Sequence, residues 1–130
     1  MAVPSVATYS VAVLVAAHTM FRDMIDAGSA AGKIRVRDSS DVLLAEVPLS
    51  DPGGSVNGAT GQLTLAIAGR DESANASGTA AYAEICDSDN TVLLALPAQA
   101  GTTAVQGKIV CNTLTVVAGA PFEILSAVIG

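Results

Sequence analysis

Two segments of this chain share a pattern that constrains any fold to contain antiparallel hairpins. Ile34-Arg-Val-Arg-Asp-Ser-Ser-Asp-Val-Leu-Leu-Ala-Glu-Val-Pro48 aligns with Ala83-Glu-Ile-Cys-Asp-Ser-Asp-Asn-Thr-Val-Leu-Leu-Ala-Leu-Pro97, read with one extra residue in the second turn. Apolar residues flank an Asp-Ser cluster in both, and those side chains bond their own backbone in turns. Each copy later reaches a similar run, Leu63-Thr-Leu-Ala-Ile-Ala-Gly69 and Leu114-Thr-Val-Val-Ala-Gly119. A hairpin-plus-strand unit used twice predicts a mainly β fold, a sandwich or flattened barrel of about seven strands.

The rest of the chain fits that frame as one domain of 130 residues, with an N-terminal helix at about 9–27 and a β-domain at about 32–130. Thr8 or Ser10 caps the helix, and Pro4 keeps the residues before it extended. Val11, Leu14, Val15, His18, Phe21, Met24 and Ile25 form its inward stripe, leaving Arg22, Asp23 and Asp26 towards water. Gly28 is expected to end it in the left-handed conformation. Ile34, Val36, Val42, Leu44 and Val47 are expected to face the core. Pro48 and Asp51-Pro-Gly-Gly54 are expected to break the second strand. Further strands are expected at residues 61–68, 79–86, 91–96, 108–117 and 122–129, with polar loops at 69–78 and 97–107.

Composition narrows the function. Hydrophobic residues make up 51% but aromatics only 3%, so the core is built from Ala, Val, Leu and Ile rather than around a deep aromatic pocket. Charged residues are 14%, which suits a surface that partners cover. The net charge of −6 argues against nucleic acid, whose binding needs a basic footprint. Lys33, Arg35 and Arg37 form the one basic cluster, sharing one face of a strand. A solvated outer face is the favoured reading of it, contact with an acidic neighbour or a phosphate the other. Residues 11–17 are apolar but too short to span a bilayer and lack a basic flank, so the expectation is a soluble protein without export signal or membrane anchor.

Residues able to do chemistry are sparse. His18 is the sole histidine, and it falls on the apolar helix stripe, which favours packing over general-base work. Asp87-Ser-Asp-Asn90 resembles the start of a calcium loop but lacks its Gly and bidentate Glu, and turn chemistry explains it and Asp38-Ser-Ser-Asp41 alike. Asp71 and Glu72 are adjacent on a polar loop, where neighbours point apart. Asn75-Ala-Ser77 matches a glycosylation acceptor, a signal too short to weigh. Cys86 and Cys111 read as buried thiols, with a disulfide left open. No catalytic, cofactor-binding or metal-binding residue is assigned, and the reading is non-enzymatic. Unpaired strand edges in so apolar a scaffold would be an aggregation liability unless something covers them.

Further residues carry a family resemblance. Tyr9-Ser-Val-Ala-Val13, Ile25-Asp-Ala-Gly-Ser-Ala-Ala-Gly-Lys-Ile-Arg35 and Leu43-Leu-Ala-Glu-Val-Pro-Leu-Ser-Asp-Pro52, with Ser77-Gly-Thr-Ala80, Asp87-Ser88 and Val116-Val-Ala-Gly119, resemble small virion-associated proteins of tailed bacteriophages. The chain departs in the more apolar stretch at residues 14–17, and in Ala81-Tyr82 where that family carries a bulkier aromatic. The resemblance implies a capsid decoration or cement protein on the outer capsid surface, made in the host cytoplasm. Its partners would be the major capsid protein and neighbouring copies of itself, with no cofactor, nucleic acid or membrane. A tail-tube or neck subunit is the alternative. A stand-alone sugar-binding β-sandwich is a third, for which Tyr9, Phe21, Tyr82 and Phe122 are few and scattered.

Overall fold

In a computed structural model, which describes residues 7–130, the two Asp-Ser clusters make the same turn. Asp38 Oδ1 accepts from the amides of Ser40 (2.8 Å) and Val42 (2.9 Å), and Asp87 Oδ1 accepts from those of Asp89 (2.9 Å) and Thr91 (3.0 Å). Asp41 and Asn90 both take φ 65°, a left-handed position that short polar side chains tolerate. The first turn joins β1 (Lys33–Arg37) to β2 (Leu43–Val56), and the second joins β5 (Tyr82–Cys86) to β6 (Val92–Ala100). Partners run Lys33 to Pro48 in one hairpin and Tyr82 to Pro97 in the other, a constant offset of 49 positions. The extra residue expected in the second turn is therefore absent. Each hairpin also bulges once, at Leu44 and at Leu93, which lets Leu44 and Ala45 both reach the core and leaves Val42 exposed, contrary to expectation.

β1 and β5 lie side by side and antiparallel, with Arg35 opposite Glu84, its own counterpart at that offset. Lys33 faces Cys86 and Arg37 faces Tyr82, so the register relates the hairpins by an approximate two-fold axis between Arg35 and Glu84. Three more strands complete the wall: β3 (Leu63–Ile67), β7 (Lys108–Cys111) and β9 (Ser126–Ile129). The order β1-β2-β3-β9-β7-β6-β5 closes into a barrel, with β6 and β7 parallel and every other pair antiparallel. Closure pairs the barrel's edges with one another, removing the exposed edges that the sequence led us to expect.

Several expected boundaries shift. Pro48 and residues 51–54 do not break β2: Pro48 keeps its register opposite Lys33, and residues 51–53 sit in an irregularity where β2 runs from Leu49 to Gly54 while β3 advances only from Ile67 to Leu65. Proline is tolerated at such a bulge because no ladder bond is required of it. β6 likewise continues past Pro97 to Ala100. The returning runs of the two copies differ: Leu63–Ile67 is a barrel strand, whereas residues 114–119 contribute only β8 (Thr115–Val116), paired with β4 (Gly78–Thr79) outside the barrel. The expected final strand shortens to β9, with Phe122 held in a single bridge to Asp71.

The interior is aliphatic: Ile34, Val36, Leu44, Val47, Leu63, Ile85, Ile109 and Ala127 are all fully buried. Seven strands leave a bore that side chains of this size fill. One end is covered by the β4–β8 ribbon and its flanks, where Ala74, Ala80, Val116 and Phe122 are buried. The other end is covered by α1 (Val11–Ile25), about four turns long. Ser10 is its N-cap, with Oγ accepting from the Val13 amide at 3.3 Å, while Pro4 lies outside the described residues. Gly28 does not adopt the left-handed conformation; Asp26 closes the helix, and Gly28 is small because Ser88 of the second turn packs against it.

Candidate interaction surface

α1 docks through few side chains. Ile25 is fully buried, with the backbone of Gly32 and Gly53 so near that an added Cβ would lie 2.5 and 2.8 Å from its Cγ2. Leu14 rests against Gly61, which takes φ +77° at the start of the β3 approach. His18 Nδ1 lies 2.5 Å from the Gly61 carbonyl oxygen, and the half-buried ring packs over the end of β9. The histidine thus ties helix to barrel, as its place on the stripe suggests.

The other side of α1 meets solvent, and it is equally apolar. Met20 is 62% exposed, Val13 47% and Met24 45%, with Ala12, Ala16 and Ala17 exposed between them, and Tyr9 just before the N-cap is 73% exposed. Val11 and Met24, assigned inward by periodicity, are exposed, and Arg22 is half-buried. A helix that exposes an apolar face over its first three turns as well as burying one is incomplete there without a covering surface. Helical periodicity, which sorts the helix into one wet and one dry face, hides this surface. The available signal was the lack of any charged residue from 7 to 21.

The basic cluster is absorbed within the sheet. Lys33, Arg35 and Arg37 point outward from β1 between two acidic neighbours. Glu46 on β2 lies 4.0 Å from Lys33 and 3.5 Å from Arg35, and Glu84 on β5 accepts from Arg37 Nε at 2.5 Å. That bond raises the Arg37 pKa further. Arg37 also donates to the Asp41 carbonyl (2.9 Å), and Tyr82 donates to the Asp41 carboxylate (2.7 Å), fastening the first turn to β5. The stripe is neither bare nor free to meet a phosphate without first giving up these partners.

The remaining candidates separate. Asp38 and Asp87 each spend one carboxylate oxygen on two backbone amides. Asp71 accepts from the amides of Glu46 and Ser73, whereas Glu72 is exposed beside Arg70. Among the described residues, no group of three or more His, Cys, Asp or Glu is placed to hold a metal ion. Cys86 and Cys111 are buried and free. Cys86 pairs with Val92 and Cys111 with Ala100, eight positions apart along β6, or roughly 26 Å, far beyond disulfide reach. Burial pushes both thiols up, Cys111 to about 11, so neither is a ready nucleophile. Of the four aromatic residues only Tyr9 is exposed, and surface hollows such as the one lined by Thr102, Asn112, Phe122 and Leu125, of about 430 Å³, are open grooves.

No described helix is long and apolar enough to cross a membrane. Comparison with known protein families, with characterised proteins and with solved structures finds no match to this chain.

Proposed function

We propose that this chain is a non-enzymatic structural protein of a tailed-phage virion, a decoration or cement protein that binds the major capsid protein lattice on the outer surface of the shell. The observation that carries this reading is where the apolar surface lies: on the outside of a helix fixed to a closed, end-capped barrel, not inside a cleft. Such a unit acts by contact, with neighbouring copies of itself as well as with the shell, and modest contacts become strong when repeated over a lattice. The net charge of −6 supports an exterior position away from packaged nucleic acid. Closure of the barrel favours this role over a tail-tube subunit, because ring assembly by sheet extension needs free strand edges. The shared turn and the symmetric β1–β5 register support an internal duplication confined to the hairpin.

The test is co-sedimentation of purified protein with particles stripped of their accessory proteins, followed by imaging of a labelled copy. Saturable binding with label over the whole shell is expected. Label confined to the tail would transfer the protein to the alternative role, and no binding to any particle would end the proposal.

A further inference from the structure

We infer that the outer face of α1 is a self-association surface, on which a second copy of this chain docks its own α1 antiparallel. The inference rests on the assembly reading and names one of its partners. Three observations select a second copy. The face carries no charge from residue 7 to residue 21, so two copies can meet there without the like-charge repulsion that a chain of net charge −6 imposes elsewhere. Val13, Ala16, Ala17 and Met20 are all exposed on α1, and reversing the helix about residues 16 and 17 exchanges 13 with 20 and 16 with 17. A two-fold interface requires such self-complementarity. Ala16 and Ala17 then meet at the centre, allowing close approach of the axes, while Val13 faces Met20.

The third observation is the placement of charge at the helix ends. The first turn has no acidic residue, although the positive end of the helix dipole favours one there. The last turns carry Asp23 and Asp26 at the negative end, with Arg22 engaged by Asp23 at 3.4 Å. Alone, this helix has its acids at the wrong end. An antiparallel partner brings Asp23 of each copy beside the uncharged first turn of the other, correcting both ends at once.

One face of a 15-residue helix, about 22 Å long and ~10 Å across, falls short of the ~800 Å² per partner of a standard stable interface, so weak self-association in the micromolar range is expected. Sedimentation velocity between about 1 and 200 µM spans that range. The wild type should move from 12.9 kDa towards twice that mass. Ala16→Glu should weaken association at least tenfold with an unchanged melting temperature, because Ala16 is exposed in the single chain. Val92→Glu, at an exposed site off the helix, should change nothing. Under mild oxidation Ala17→Cys should cross-link between copies, and Ser39→Cys in the first turn should not. A wild type that stays at 12.9 kDa throughout, a dimer indifferent to Ala16→Glu, or equal cross-linking at both cysteines would overturn the inference. Particle binding is scored separately. A monomer that still coats shells refutes the pairing alone, and a dimer that binds no shell refutes the assembly reading alone.

Discussion

Truncating one buried and one exposed side chain on the same helix tests which face of α1 holds the barrel. Ile25→Ala removes three carbons from a fully buried site, about 2.4 kcal/mol at ~0.8 kcal/mol per methylene-sized group. The space left cannot close easily, because its walls are the Gly32 and Gly53 backbones, themselves locked in β1's approach and in β2. A residual cavity of some 60 Å³ adds about 1.5 kcal/mol. The expected loss is therefore about 4 kcal/mol, a fall in the urea midpoint of about 2 M. Met20→Ala, at a side chain 62% exposed, should cost about 0.5 kcal/mol or less. Urea titrations followed by circular dichroism at about 1 µM, low enough to avoid self-association, measure both. Equal losses, or a larger loss at Met20, would refute the orientation of the helix and everything drawn from its outer face.

Other expectations follow from single features. Gly61→Ala should cost at least about 1–2 kcal/mol from the positive φ alone, with more from the 2.5 Å approach to Leu14 Cβ; a neutral result in thermal melts would contradict the tight helix seat. Asp38→Ala and Asp87→Ala should destabilise similarly, by about 1–3 kcal/mol each, since each strips two amides of their acceptor; a large difference between them in urea melts would show that the turns are not equivalent. Burial raises the Asp26 pKa above 3.8, outweighing the bond from the Gly53 amide, and Asp51 nearby raises it further. The folded state therefore holds that proton more tightly than the unfolded chain does, and the resulting penalty appears as pH rises through and above 3.8. Asp26→Asn should accordingly raise the melting temperature at pH 7 and give no gain at pH 3; a gain of equal size at both pH values would contradict this linkage. Both thiols should resist a disulfide-exchange reagent at pH 8 until the protein is unfolded, and rapid labelling of the native state would show that burial does not protect them.

Local chemistry written in consecutive residues was legible in the sequence. The Asp-Ser turns, the alternation around them, the capped helix and the mainly β class all depend on neighbours no more than four positions apart. Proline and glycine misled at residues 48 and 51–54: Pro48 keeps its place opposite Lys33 on β1, and the bulge before Gly54 relieves the residues within it of ladder bonding. The basic stripe on β1 was visible, but its neutralisation was not, since Glu46 and Glu84 reach it only through strand register.

By itself the sequence determined which segments bend, which alternate and which coil, because those preferences act within one turn or one strand. Tertiary structure alone decided that seven strands close on themselves, that the cysteines lie at opposite ends of β6, and that one apolar side of the helix stays outside. These outcomes depend on pairing between residues tens of positions apart. Once the barrel is filled by its own aliphatic side chains, it has room for Ile25 but not for the rest of the helix.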